Sequence, residues 1–432
     1  MKYHSTRGVA APVGFGTALH QGLAPDGGLY VPGAWPAFTP ADFDALESLP
    51  AIGARLIAPF AAGDALGAEL GDITRDAFSF PVPVRPLDAD GRYRVLELFH
   101  GPTAAFKDVG ARFLAACFER LHQPGDVPVN ILVATSGDTG GAVAAAFHRR
   151  PGLEVTILFP KGLVSPTQER QLTCWGDNVR SLSVRGTFDE CQRLVKQAFV
   201  DPSMRSRCEL SSANSINLGR LLPQAAYYAA ASLECYRSHG EPLSFVMPAG
   251  NLGNAVACLW ARRSGLPIGE IVLAHNANRT VPDFLERGEW QPRPSIATLA
   301  SAMDVGDPSN MERLRSLHPH LADIRQAVRA YSIDDDAIRA RIRADFATYG
   351  EVWCPHTATA AEAYTRLSAA ERRQRRWCIV STAHPAKFAE IVEPLIGRPV
   401  DVPAALAELF RRESHCVEID ASLPALRVAM EA

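Results

Sequence analysis

The nine cysteines are scattered, odd in number and without a CxxC pair. That excludes a disulfide framework and the closely spaced thiols of a zinc site, and it points to a reducing compartment. No uncharged apolar run is long enough to cross a bilayer. The opening segment MKYHSTRGVAAPVG lacks the apolar core of a signal peptide, so a soluble cytoplasmic protein is expected. Excess charge of one sign is also missing. A formal net charge of −3, with acids and bases interspersed, excludes the clustered basic footprint of a nucleic-acid binder. Low-complexity tracts are absent. So is GK[ST] after any glycine loop, and so is GxGxxG spacing, which disfavours a mononucleotide or dinucleotide site. The histidines show no metal-ligand spacing and no Ser or Cys partner. His100, His356 and His384 each fall in turns and read as structural.

What is present is length and apolar content. With 432 residues, 47% of them hydrophobic, the chain can bury a sizeable core in two or three domains. Residues 1–80 look like a smaller unit. There Asp26-Gly27-Gly28 turns into a short strand (Leu29, Tyr30, Val31), and Thr39-Pro40 opens a helix. The polar segment Tyr3 to Gly8 is either a loose tail or an arm folded over a site. Pro81, Pro83 and Pro86 mark a linker, and Asp88 to Gly91 a turn between extended runs. Beyond them strand, loop and helix alternate. Strands are expected at 127–134, 155–159, 179–184, 243–247, 270–275 and 377–380. The intervening helices include 108–121, 142–149, 188–200, 218–236 and 254–263, with one more at 385–395. Short apolar strands alternating with helices predict an α/β fold with a parallel sheet covered on both faces. The segment 290–350 is less legible, apart from a charged surface helix over 334–349.

Chemistry is concentrated in a few loops. In ELFHGPTAAFKDVGAR, residues 97–112, an apolar strand ends in turn residues and hands over to a helix at Lys107. Ala104, Ala105 and Phe106 flank the lysine on its N-terminal side. Poor solvation there favours the uncharged amine, the form that attacks a carbonyl and can hold an aldehyde cofactor as a Schiff base. The plain alternative is a surface lysine at a helix start. Two further stretches echo one another. SGDTGGAVA, from Ser136, and AGNLGNAVA, from Ala249, each follow a strand and open a helix, with glycines at matching offsets. Unpaired N–H groups at a helix start attract anions, and glycine lets the backbone come close to a phosphate. The pattern therefore suggests two anion cradles on one sheet. Asn214 and Arg220 are candidates to hold an oxyanion, with a helix cap and a surface arginine as the alternative. Thr382, after the last clear strand, is placed to point inward.

Six motifs in this order, FHGPTAAFKDVGARF, ATSGDTGGAV, SANSIN, PAGNLGN, MDVGDPSN and STAHPAKF, resemble threonine synthase of the bacterial and fungal type. The resemblance runs from STRG to beyond residue 390. It implies the tryptophan synthase β-like fold of pyridoxal phosphate enzymes (fold type II): two open, twisted α/β lobes plus a smaller N-terminal domain. On that basis residues 1–88 would form the N-terminal domain and 89–432 the catalytic region. The resemblance further implies that Lys107 carries pyridoxal 5′-phosphate as a Schiff base, with Phe106 beside it. The cofactor phosphate would lie in the cradle of Gly250, Asn251, Leu252, Gly253 and Asn254, and Thr382 would face the pyridine nitrogen. Ser136 and Thr139 would hold substrate groups, with Asp138 near the ring's phenolic oxygen, and Asn214 and Arg220 would bind the substrate phosphate. The implied substrate is O-phosphohomoserine, converted with water to threonine and phosphate by a monomer or weak homo-oligomer. Relatives commonly read GNFGD where this chain has Leu252 and Asn254, which leaves any side-chain role at those two positions in doubt. A phospholyase releasing 2-oxobutyrate, or a catalytically silent relative, is the alternative.

Overall fold

A computed structural model describes residues 1–123, 125–135, 137–205 and 209–431. In chain order its strands are β1 (Tyr3–Ser5), β2 (Tyr30–Pro32), β3 (Val84–Pro86), β4 (Tyr93–Glu97), β5 (Val129–Ala134), β6 (Leu153–Pro160), β7 (Val179–Arg185), β8 (Glu209–Ser211), β9 (Leu243–Pro248), β10 (Ile268–His275), β11 (Arg329–Ser332), β12 (Arg376–Ser381) and β13 (Val417–Asp420).

The strands form three sheets. β1 and β2 pair antiparallel in the N-terminal region. A six-stranded sheet has the order β11-β10-β9-β12-β4-β3, and a five-stranded one the order β13-β7-β6-β5-β8. Every pairing in the two large sheets is parallel except β3 with β4. The sequence explains this. β5 reads VNILVA and β9 reads LSFVMP, and every residue of both is buried, as strands covered on two faces require. The covering helices include Lys107–Leu121, Asp138–Phe147, Ala225–His239, Gly253–Arg263 and Pro355–Thr365.

Three sequence expectations change here. Residues 84–86, expected in a proline-marked linker, form edge strand β3. An edge position spares Pro86 the need for a ladder N–H. β3 precedes the boundary expected at residue 88, yet it belongs to the sheet of β4. The helix expected over 218–236 is three pieces: Leu218–Leu221, a 3₁₀ turn Leu222–Gln224 containing Pro223, and Ala225–His239. Pro223 has no N–H to continue the ladder. The start of the chain is an arm: β1 pairs with β2, Thr6 Oγ1 donates to Glu312 Oε2 at 2.7 Å, and Arg7 meets Glu312 at 3.2 Å. Helices Leu49–Ile57 and Leu66–Ala77 of the N-terminal region pack on Ala225–His239 and Lys107–Leu121, so its apolar residues join one core with the first lobe.

Candidate active site

The sequence suggested that the two glycine loops share one sheet, and they do not. The loop at 135–137 follows β5 of the five-stranded sheet, and the loop at 249–252 follows β9 of the six-stranded one. Repetition of a motif along the chain does not fix which strands pair, and here each lobe takes one copy. β4 and β12 are parallel neighbours, with Ser381 opposite Glu97, so the Lys107 and Thr382 loops leave the same sheet edge together. An isolated bridge between Ala105 and Ala383, and the Phe106 N–H donating to Thr382 O at 2.8 Å, lock them to each other.

Lys107 begins its helix, and its Nζ lies 5.9 Å from the centre of the Phe106 ring. It is partly exposed, while the protein packed around it dominates its chemistry. Desolvation, with help from Arg220 and Lys387, outweighs the attraction of Asp138 and brings its pKa down to about 8. Among the described residues Lys107 has no hydrogen-bond or ion-pair partner, so the amine is free to react. Asp108, next in sequence, is buried. Its carboxylate accepts from the Thr103 N–H at 2.9 Å and the Thr103 hydroxyl at 2.7 Å, which pins the turn before the lysine.

Asp138 opens the helix after the first glycine loop and is buried. Burial alone would raise its carboxyl. Lys387 and Lys107 outweigh that and hold it well below the usual carboxylate range. Lys387 Nζ stands 2.8 Å from Asp138 Oδ1, and Gln168 Nε2 donates to the same oxygen at 3.2 Å. Thr139 follows in the first turn, partly buried; Ser136 lies outside the described residues.

The second loop is the better cradle. A Cβ on Gly250 would sit 2.8 Å from Met303 Cα and 3.3 Å from Ala302 O, so only glycine fits against that backbone. Leu252 is buried with φ +62°, a strained conformation for a branched side chain, and its helix begins at Gly253. Asn251 donates from Nδ2 to Ser215 Oγ at 2.6 Å, and Asn254 from Nδ2 to Pro248 O at 3.1 Å. The two side chains that depart from the family pattern therefore shape the loop: one packs in the core and the other ties a backbone carbonyl. The N–H groups of the helix start are left for an anion.

Among the described residues buried Arg220 has no carboxylate in ion-pair range; one of its N–H groups reaches Ala213 O, and its Nε has no partner there. Asn214 Oδ1 is likewise buried without a partner. Burial brings the Arg220 pKa down to about 10, partly offset by Asp108. A Cβ on Gly110 would meet Arg220 O at 2.4 Å, so the glycine of KDVGAR is what lets the lysine helix and the arginine backbone touch. A buried, uncompensated guanidinium beside an unpaired amide is a place for an anion. Thr382 is buried, its N–H donates to Thr357 Oγ1 at 3.3 Å, and its hydroxyl makes no hydrogen bond among the described residues.

The three histidines support the frame. His100 pairs with Glu97 at 2.7 Å, and His384 Nδ1 accepts from the Ala386 N–H at 3.2 Å, capping the turn that carries Lys387. His356 Nε2 accepts from the Ala302 N–H at 3.0 Å, behind the Gly250 cradle. Sequence reasoning missed Lys387 and Arg313. The only signal for Lys387 was a lysine inside the motif STAHPAKF. Arg313 shows as a charged residue in a short amphipathic helix, which gives no hint that it is buried. It donates to Tyr30 O at 3.0 Å, to Asn310 Oδ1 at 2.8 Å and to Ile216 O at 2.7 Å. Among the described residues no His, Cys, Asp and Glu cluster suits a metal ion.

A lysine without a polar partner among the described residues, flanked by two arrangements suited to anions, has counterparts among known proteins. The family described as Pyridoxal-phosphate dependent enzyme matches residues 83–383, Threonine synthase N terminus matches 2–78, and Threonine synthase, C-terminal matches 357–429. The threonine synthase of Escherichia coli (strain K12) is 39% identical over 433 residues, covering 100% of this chain and 99% of that one. That of Serratia marcescens is 38% identical, covering 94% of each. Among solved structures, the PLP-bound threonine synthase from Brucella melitensis superposes with a TM-score of 0.92 at 36% identity, covering 100% of this chain and 98% of that one. The yeast enzyme superposes with a TM-score of 0.91 at 28% identity, with the same coverage. The chain has the fold type II architecture and belongs to the threonine synthase family of pyridoxal-phosphate-dependent enzymes.

Proposed function

We propose that this threonine synthase converts O-phospho-L-homoserine and water to L-threonine and phosphate, with Lys107 as its catalytic amine. The observation that carries the reading is the pair of anion-binding arrangements around one unpartnered lysine: the Gly250 cradle, and Arg220 with Asn214. The cofactor needs one for its phosphate. The other is left for the phosphate of a substrate.

The residues fit pyridoxal 5′-phosphate. Lys107 would bear it, with Phe106 alongside; Gly250, Asn251, Leu252, Gly253 and Asn254 would hold its phosphate, and the Thr382 hydroxyl its pyridine nitrogen. Asp138 suits the ring's phenolic oxygen only because Lys387 neutralises it; a bare carboxylate would repel that oxygen. When bound, the cofactor supplies an electron sink for carbanions beside the substrate amine. The chain's own residues do the rest. Lys107 Nζ, with a pKa near 8, and the departing phosphate share the protons. One leaves the α-carbon and one the β-carbon as the γ-phosphate departs, and one is delivered to the γ-carbon. Water then adds its hydroxyl at the β-carbon, one proton returns to the α-carbon, and the last stays with the phosphate. Arg220 and Asn214 hold the γ-phosphate as it leaves and keep it near the β-carbon, with Thr139 on the substrate side. The same reading gives a monomer or weak homo-oligomer acting in the cytoplasm. The eight described cysteines are free, in keeping with a reducing compartment, and no described helix is long and apolar enough to cross a membrane.

The test is to add O-phosphohomoserine to the purified, cofactor-loaded protein. Threonine and phosphate in equal amounts support the proposal. Phosphate with 2-oxobutyrate turns the reading to a phospholyase, and no product at all to a silent relative.

A further inference from the structure

Lys387 is the second lysine beside Asp138, and the reaction just described uses it only to neutralise that carboxylate. It is fully buried at the foot of the Thr382 loop. Two of its three N–H donors are spent, one on Asp138 Oδ1 at 2.8 Å and one on Thr103 O at 2.9 Å. The surroundings are built to hold it. Thr103 O also accepts from Gln171 Nε2 at 3.0 Å, Gln168 Nε2 shares the Asp138 oxygen at 3.2 Å, and His384 caps the turn that presents the lysine. Thr103, in turn, is fixed by both oxygens of Asp108, the residue after Lys107. The ion pair is thus wired to the backbone on both sides of the reactive amine.

Burying two charges costs several kcal/mol per ion before their attraction is counted, so such a pair is weak evidence of stabilisation for its own sake. Its effect on Lys107 is more specific. The charged groups acting on that amine are Asp138 at the start of one helix, Arg220 at the end of another and Lys387 in the 3₁₀ turn. His356 faces Asp138, and Asp108 faces Arg220. Asp138 is the one group that favours a charged Lys107. Left alone it would take the amine as its ion-pair partner and remove it from chemistry.

We propose that Lys387 is a positioning residue: it closes the Asp138 carboxylate into a neutral pair and so keeps the Lys107 amine free and more easily deprotonated. The inference rests on Lys107 being the amine that reacts. Its test does not depend on the cofactor. The full-length chain, stripped of pyridoxal phosphate, is pulse-labelled with acetic anhydride from about pH 6 to 11, and modification of the Lys107 peptide is followed by mass spectrometry. Lys387→Met should move the labelling midpoint upward by about 1 pH unit or more, and Lys387→Arg should leave it within about 0.3 unit. An unmoved midpoint in Lys387→Met, with a lower melting temperature alone, would make Lys387 merely structural and overturn the proposal. If that variant does not fold, the neutral double variant Lys387→Met/Asp138→Asn decides. Its midpoint should stay within about 0.5 unit of the parent's, because the pair it removes carried no net charge. A fall of about 1 unit or more would show Asp138 acting on Lys107 unshielded and contradict the proposal.

Discussion

At the scale of single residues, the site combines a satisfied buried ion pair, Asp138 with Lys387, and a buried charge that the fold leaves partly unsatisfied. Arg220 is that charge: among the described residues its Nε is unpaired and no carboxylate lies in ion-pair range. Replacing it with Met should lower kcat/KM for the phosphorylated substrate roughly 10- to 100-fold, since a charge-assisted hydrogen bond contributes about 1.5–3 kcal/mol. Steady-state kinetics checks this, and the loss should fall mainly on KM if the contact is equally strong throughout the reaction. Lys107 offers a second check, in stability. Burial lowers its pKa from 10.5 to about 8, so between those values the unfolded chain binds the proton that the folded chain has lost. Folding is therefore penalised at pH 7 and relieved as pH rises through that window. Without cofactor, Lys107→Met should be more stable than the parent by on the order of 2 kcal/mol at pH 7, and the gap should narrow toward pH 10. Denaturant titrations at the two pH values measure it.

At the scale of elements, glycines set how closely backbones approach. Gly250 lies against Met303 and Ala302, and this contact gives the cradle its floor. Gly250→Ala should cost roughly 1–3 kcal/mol through overpacking and weaken cofactor binding together with it; thermal melts and cofactor titration would show both. Much at this scale was legible in the sequence. Continuous apolar strands such as Val129–Ala134 and the helix Phe188–Val200 carry their periodicity openly, and the turn chemistry around Lys107 marked the site. Other elements were not legible, for stated reasons. β3 hides behind prolines, which an edge strand tolerates. The break at Pro223 sits inside an otherwise helical pattern. Pairing partners are long-range facts, so the division of the two glycine loops between two sheets left no local trace. Lys387 was hidden for the same reason, since its meaning comes from Asp138, far away in the chain.

At the scale of the whole molecule, the N-terminal region, the Gly250 loop and the polar loop at 212–217 meet at Arg313. Its guanidinium binds Tyr30 O from the first, Asn310 beside the second and Ile216 O from the third, and Asn310 Nδ2 donates to Asn251 O at 3.0 Å. Arg313→Met would leave two backbone carbonyls and the Asn310 amide oxygen without their donor. It should destabilise the protein by roughly 2–4 kcal/mol and raise KM, because the N-terminal region would no longer brace Ser215 and Ile216. Thermal unfolding followed by kinetics at a temperature below the lowered transition separates the two effects. The central claim concerns which buried amine meets the cofactor, and the molecule places two in the cleft. Borohydride reduction of the cofactor-loaded protein, followed by peptide mass spectrometry, distinguishes them directly. The phosphopyridoxyl group should be found on Lys107; finding it on Lys387, or on neither lysine, would contradict the account.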